Sequence, residues 1–347
     1  MKINKTNIGK KTPPYIIGEM SGNHNQSLDR ALKIVETASQ IGIHAIKLQT
    51  YTADTITLNI QKDEFFIKDE KSLWGGRSLY DLYDEAHTPW DWHEPIMKKA
   101  NQLGLTCFSS PFDETAVDFL EDLNVPAYKI ASPEIIHLPL IEKVASTGKP
   151  MIVSTGMATF EEIIEAVEVI KKSKCDKFAL LKCTSDYPAS SSNSNILTIP
   201  ELRKIFKCEV GLSDHTMGIG AAVASVAHGS TIIEKHFTLN RSDGGVDSAF
   251  SLDQDEMKNL VVETKRAWKS LGKVNYGPTE PEKENLKYRR SIYISSDISK
   301  NETLSENNIK IVRPGLGLLP KYYKSLLGKK VNKDLKAGTA LKWDHIQ

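Results

Sequence analysis

Short apolar runs alternate along this chain with stretches in which apolar residues recur every three or four positions. Tyr15-Ile16-Ile17 is followed by Leu28, Ala31, Leu32, Val35 and Ala38, which form one stripe of an amphipathic helix. Ser27 stands where a capping hydroxyl is wanted, and Gly42 where a left-handed stop is favoured. Extended runs follow at residues 45–48 and 105–109, and Asp113 then serves as N-cap ahead of Ala116, Val117, Phe119 and Leu120. The next runs are 128–131 and 151–153. Behind the second, Thr159 and Glu162 have the spacing of a capping box before Ile163, Ile164 and Val167. Runs at 178–181, 210–212 and 231–233 complete the series. The last feeds a helix predicted from about 253 to 271, with Leu260, Val261, Thr264 and Trp268 on its inner stripe.

Near-continuously apolar strands alternating with helices predict a parallel sheet covered on its outer side. Eight such units over roughly 270 residues match a closed (β/α)8 barrel, the TIM-barrel architecture, with an open doubly wound sheet as the alternative. Residues 51–95 break the rhythm. They carry Phe65, Phe66, Trp74-Gly75-Gly76, Trp90 and Trp92 without a period, as a lid or binding loop would, or a surface insertion packing its own aromatics. After Leu271 comes a polar, proline-bearing stretch, then short extended pieces at 291–294 and 309–312 and the turn Arg313-Pro314-Gly315-Leu316-Gly317. The expected organisation is a barrel over 1–275, a linker over 276–290 and a small domain over 291–347. A piece of about 60 residues is marginal alone, so docking onto another surface is expected.

Composition narrows the partners. Lys plus Arg is 45 and Asp plus Glu is 44, a formal net charge of +1, which gives no electrostatic reason to bind nucleic acid or an anionic membrane. Phosphate chemistry must therefore come from local clusters. Cys107, Cys175, Cys183 and Cys208 show no paired spacing and suit buried thiols. The first residues lack the apolar core of a secretory signal, and no apolar run approaches the roughly 18 residues of a membrane span. A cytoplasmic protein is expected.

Catalytic groups of such barrels occupy the C-terminal strand ends. The eight ends here offer Glu19; Lys47 and Gln49; Ser109 and Ser110; Lys129 and Ser132; Ser154 and Thr155; Thr184, Ser185 and Tyr187; Ser213, Asp214 and His215; and Glu234, Lys235 and His236. Loops are polar anyway, which accounts for any one of these but poorly for all eight. His215 and His236 end neighbouring strands, so their imidazoles could share a divalent metal with open positions. Lys47, Lys129, Ser110, Ser132, Ser154 and Ser213 supply two cations and several hydroxyls, which suits a phosphate and a carboxylate held together, as in phosphoenolpyruvate; the plainer alternative is that the serines cap helices. Glu19, Glu134 and Asp247 are candidates for orienting sugar hydroxyls and moving protons, against a default of solvated loop carboxylates. Gly218-Ile219-Gly220 imitates half of a dinucleotide fingerprint but lacks its third glycine.

At these positions the sequence resembles the sialic acid synthases. The likeness runs from about Pro13 to Ile346. It is carried by Gly18-Glu19-Met20-Ser21-Gly22-Asn23-His24-Asn25, Lys47-Leu48-Gln49-Thr50, Ser109-Ser110-Pro111-Phe112-Asp113, Lys129-Ile130-Ala131-Ser132, Ser154-Thr155-Gly156-Met157, Lys182-Cys183-Thr184-Ser185, Gly211-Leu212-Ser213-Asp214-His215 and Glu234-Lys235-His236-Phe237. The C-terminal stretch resembles the antifreeze-like (SAF) domain appended to these enzymes. Leu73-Trp74-Gly75-Gly76-Arg77-Ser78-Leu79-Tyr80 and Asp243-Gly244-Gly245-Val246-Asp247-Ser248-Ala249-Phe250 point to the pseudaminic acid branch. Ser185 replaces the asparagine of the N-acetylneuraminate branch. The resemblance implies a cytoplasmic transferase that condenses phosphoenolpyruvate with an amino-sugar aldehyde, 2,4-diacetamido-2,4,6-trideoxy-L-altrose, with release of phosphate by C–O cleavage. It further implies Mn²⁺, Mg²⁺ or Co²⁺ on His215 and His236, phosphoenolpyruvate on the lysines and serines (Ser185 included), and Glu134 handling water. Glu19, Gln49, Tyr187 and Asp247 would hold the sugar, with Arg313 reaching the other subunit of a domain-swapped homodimer. N-acetylneuraminate or legionaminate synthesis, a metal aldolase or sugar isomerase on the same barrel, and a non-catalytic carbohydrate-binding protein are the alternatives.

Overall fold

The computed structural model describes residues 1–347 except 61, 70 and 71. Its eight parallel strands are β1 Tyr15–Glu19, β2 Ala45–Thr50, β3 Thr106–Pro111, β4 Tyr128–Ile130, β5 Met151–Ser154, β6 Phe178–Cys183, β7 Glu209–Ser213 and β8 Ile232–His236. They hydrogen-bond in sequence order, and β8 returns to β1 with Ile232 opposite Tyr15 and His236 opposite Glu19, which closes the barrel. An open doubly wound sheet is thereby excluded. The covering helices are α1 Leu28–Ile41, α2 His93–Gln102, α3 Glu114–Asp122, α4 Leu138–Ser146, α5 Phe160–Lys172, α6 Thr198–Phe206, α7 Gly220–Ala227 and α8 Gln254–Leu271.

Local chemistry sets their ends. Ser27 accepts the Arg30 N–H at the start of α1, and Gly42 stops it at φ 87°, where a Cβ would be strained. Asp113 caps α3, and Thr159–Glu162 and Asp253–Glu256 form reciprocal capping boxes on α5 and α8. Gly220 opens α7, so the half fingerprint is an ordinary helix start.

Alternation along the strands separates two apolar layers. Ile16, Ile46, Leu48, Tyr128, Ile130, Val153, Leu180 and Ile233 face the helices. Tyr15, Ile17, Ala45, Phe108, Ala127, Ile152, Ala179, Leu181 and Ile232 fill the barrel's interior at its N-terminal end. A short hairpin, Lys2–Ile3 with Thr6–Asn7, adds Ile3 and Ile8 to that inner cluster. Functional groups are thereby confined to the opposite end. The four cysteines are free, three of them buried. Among the described residues no helix is long and apolar enough to cross a membrane.

The chain divides into two compact units, Met1–Gly272 and Lys273–Gln347. The second pairs β9 Ser291–Ile294 with β10 Ile309–Val312 and has a core of its own, including Ile292, Ile294, Leu304, Leu326, Val331 and Leu341. Within the stretch expected as linker, residues Glu280–Lys283 and Glu284–Tyr288 form short helical turns.

Candidate active site

Two residues further along each strand, the inward-facing position changes character. Ile17 is followed by Glu19, Ala45 by Lys47, Phe108 by Ser110, Ala127 by Lys129, Ile152 by Ser154 and Ile232 by Glu234, all buried. A dry apolar plug is thus topped by a layer of charges and hydroxyls. Within it Glu234 Oε1 accepts from Lys129 Nζ at 3.0 Å and from Ser213 Oγ at 3.2 Å, and lies 3.8 Å from Lys47 Nζ. Lys47 also pairs with Glu19 and donates to Ser110 Oγ at 3.3 Å. Burial alone would raise the Glu234 carboxyl, but the two ammonium groups outweigh it and hold the group well below the usual carboxylate range. Glu19, buried beside a second carboxylate, is pushed up to about 7 against the opposing pull of Lys47. For Lys129 burial wins and its pKa falls; for Lys47 the two carboxylates outweigh burial and it rises.

Above this layer the serines form a cradle. Ser132 Oγ accepts the Gly156 N–H at 3.0 Å. A Cβ on Gly156 would lie 2.6 Å from Ser132 Oγ and closer still to Ser185 Oγ, so only glycine leaves this space open. Ser154 Oγ is buried without a partner. Ser110, Ser132, Ser154 and Ser213 cap none of the helices; Asp113, His137 and Thr159 do that work nearby. The four serine hydroxyls are thus not spent on helix ends: those of Ser110, Ser132 and Ser213 bond within the polar layer, and that of Ser154 has no partner.

The imidazoles of His215 and His236 stand with ring centroids 5.3 Å apart. His215 Nδ1 lies 2.8 Å from the Thr184 carbonyl, so that nitrogen carries a proton; burial lowers the ring's pKa, but its bonds to Cys183 and Thr184 outweigh this and raise it, and Nε2 is the nitrogen open to a cation when the ring is neutral. His236 Nδ1 is buried without a hydrogen-bond partner, with Asp247 Oδ2 at 3.9 Å. Burial, then His215 and the lysines, push its pKa well down, and a neutral ring is the form that binds a cation. Among the described residues no three His, Cys, Asp or Glu side chains converge as a metal cage. The imidazole pair fits instead an ion that keeps most of its positions for substrate and water.

Around this centre, Glu134 keeps Oε2 buried and unpartnered, and burial pushes its carboxyl up to about 7. Tyr187 stands 4.5 Å from His215, and Asp247 accepts the Gly22 N–H at 3.4 Å. Gln49 is half-buried on the same face of β2 as Lys47. Arg313 belongs to the C-terminal unit, where it is exposed. Sequence reasoning named Glu234, Gly156, Trp74 and Phe250 within strand ends and motifs but gave none of them a role of its own. Glu234 had a signal, because it sits two residues before His236 on one strand. The insertion's aromatics divide: Trp90 stacks on Phe119 of α3 at 4.6 Å, whereas Trp74 bonds to the loop that carries Asp247.

A closed barrel with this layered mouth defines the class. The NeuB family model matches residues 34–276, the SAF domain model matches 289–347, and the chain belongs to the NeuB family. Its relatives narrow the likeness. The chain is 46% identical over 347 residues to the pseudaminic acid synthase of Campylobacter jejuni, covering 100% of both. It is 43% identical over 337 residues to the pseudaminic acid synthase of Helicobacter pylori, covering 96% of this chain and 98% of that one. Among solved structures, the N-acetylneuraminic acid synthetase of Leptospira borgpetersenii in complex with citrate matches with a TM-score of 0.73 at 30% identity, over 82% of this chain and 94% of that chain.

Proposed function

We propose that this protein condenses phosphoenolpyruvate with 2,4-diacetamido-2,4,6-trideoxy-L-altrose to give pseudaminic acid and phosphate. The carrying observation is that two unlike groups of side chains meet at one barrel mouth: two buried ammonium groups with a serine cradle, and a pair of imidazoles beside them. Full-length likeness to pseudaminic acid synthases selects the acceptor.

Lys47, Lys129, Ser110, Ser132, Ser154, Ser185 and Ser213 hold the phosphate and carboxylate of phosphoenolpyruvate through charge-assisted bonds. Glu19, Gln49, Tyr187 and Asp247 orient the open-chain sugar. Carbon 3 of phosphoenolpyruvate bonds to the aldehyde carbon, whose oxygen takes a proton and becomes a hydroxyl. Water adds to the resulting electron-poor carbon 2, and Glu134 takes the water's proton. The new hydroxyl on carbon 2 then gives up its proton and becomes the keto group as phosphate leaves with the bridging oxygen and takes up that proton. His215 and His236 would hold a divalent cation, with Mn²⁺, Mg²⁺ or Co²⁺ as the candidates, which would supply Lewis acidity for the addition. The same proposal includes a cytoplasmic homodimer in which Arg313 of one copy serves the sugar site of the other.

Phosphate release measured against a panel of acceptors tests the proposal. Release should require both substrates and favour the diacetamido altrose. A preference for N-acetylmannosamine or for the legionaminic acid precursor would reassign the branch. Sugar turnover without phosphate release would point to an aldolase or isomerase, and sugar binding without turnover to a carbohydrate-binding protein.

A further inference from the structure

The insertion over 51–95 brings the Trp74 ring to the barrel mouth. Trp74 Nε1 donates to the Val246 carbonyl at 2.8 Å, and the ring stands 5.7 Å from Tyr187 and 6.4 Å from Phe250. Those two rings flank the imidazoles, Tyr187 at 4.5 Å from His215 and Phe250 at 4.8 Å from His236. Trp74 and Tyr187, packed with the buried Phe250, therefore wall one side of the site, while Glu19, Gln49 and Asp247 supply its polar groups.

That wall is held in place. The loop carrying Val246 is tied to the segment after β1 by Asn25 Nδ2 donating to the Gly244 carbonyl at 3.1 Å and by the Gly22 N–H on Asp247. Gly245 sits at φ 116° directly against Asn25, where no side chain would fit. Gln26 Nε2 in turn holds the insertion through the Glu85 and His87 carbonyls at 2.7 and 2.9 Å. With its N–H used on Val246, Trp74 offers a ligand an apolar face.

We propose that Trp74 is a specificity-determining residue whose ring, with Tyr187 beside it and the buried Phe250 in support, receives the 6-deoxy end of the acceptor and disfavours a hydroxymethyl group there. This rests on the function proposed above. A hydroxymethyl pressed against rings loses its water without gaining a partner. Apolar pockets discriminate at this level by roughly 10- to 200-fold.

The test compares 2,4-diacetamido-2,4,6-trideoxy-L-altrose with its 6-hydroxy counterpart in wild-type, Trp74→Phe and Trp74→Ala full-length enzyme. The wild-type preference in kcat/KM should be about tenfold or more. Trp74→Ala should collapse it to about threefold or less by losing activity on the deoxy sugar alone, with KM for phosphoenolpyruvate unchanged. Trp74→Phe, which keeps a ring but loses the Val246 bond, should fall between, and it carries the test if the alanine variant does not fold. Preference retained in the variants, or equal loss on both sugars, overturns the inference while leaving the proposed function standing. A wild type that ignores both altroses yet uses another amino sugar overturns the proposed function, and this inference with it.

Discussion

Glu234 is the counter-ion of two buried ammonium groups, and Glu234→Gln removes that charge with little change of shape. At an effective dielectric of about 20, a contact at 3.0 Å to Lys129 is a gross attraction of about 5 kcal/mol, and the one at 3.8 Å to Lys47 about 4. Much of this is offset by desolvation, and breaking a buried pair costs about 3–5 kcal/mol net. Glutamine keeps a carbonyl for Lys129 and Ser213, and Glu19 still serves Lys47, so the lower figure of about 3 kcal/mol applies. At about 2–4 °C per kcal/mol for a domain of this size, the melting temperature should fall by roughly 6–12 °C. Phosphoenolpyruvate brings back the missing negative charge. Thermal melts with and without saturating phosphoenolpyruvate should therefore show the gap between variant and wild type narrowing in its presence. A fall of under about 1 °C, or a gap that phosphoenolpyruvate leaves untouched, would refute the idea that these lysines form its cradle.

Three further outcomes follow from the same geometry. Glu134→Gln should lower kcat by about 10²- to 10⁴-fold. Because burial lifts this carboxyl to about 7 and the ionised form accepts the water's proton, wild-type kcat/KM for phosphoenolpyruvate should climb with pH through that region, and the variant should lose the rise. Gly156→Ala should raise KM for phosphoenolpyruvate at least about tenfold with the circular dichroism spectrum unchanged, since the new methyl occupies the space between Ser132 and Ser185. His236→Ala should abolish turnover and lower the bound divalent metal measured by elemental analysis while leaving the melting temperature within a few degrees of wild type. Metal content equal to wild type would remove this ring from the cation site.

The barrel was legible because its signals are local. All eight strands lie where apolar runs end in polar residues, and the caps at Ser27, Asp113 and Thr159 start their helices by hydrogen bonds a few residues long. Strand alternation also explains why lysines and histidines written far apart meet, since position two beyond an inward apolar residue faces inward again. The same rule would have given a role to Glu234, which was named at its strand end but left without one in favour of the histidine two residues later. What the pattern could not show is space. Nothing in Thr155-Gly156-Met157 says that two hydroxyls stand over the glycine. Trp74 lies in a segment without a period, so its partner at Val246, far along the chain, became visible only in three dimensions. That the serines do not cap the helices was likewise visible only in the geometry, where neighbouring residues supply the caps.

The most direct test of a site that holds phosphoenolpyruvate for attack by water at carbon 2 is the fate of its bridging oxygen. With phosphoenolpyruvate labelled by ¹⁸O at that atom and the diacetamido altrose as acceptor, mass spectrometry should find the label in the released phosphate. Label retained in the sugar acid would mean that the phosphorus–oxygen bond breaks instead, and would contradict the chemistry assigned to this pocket.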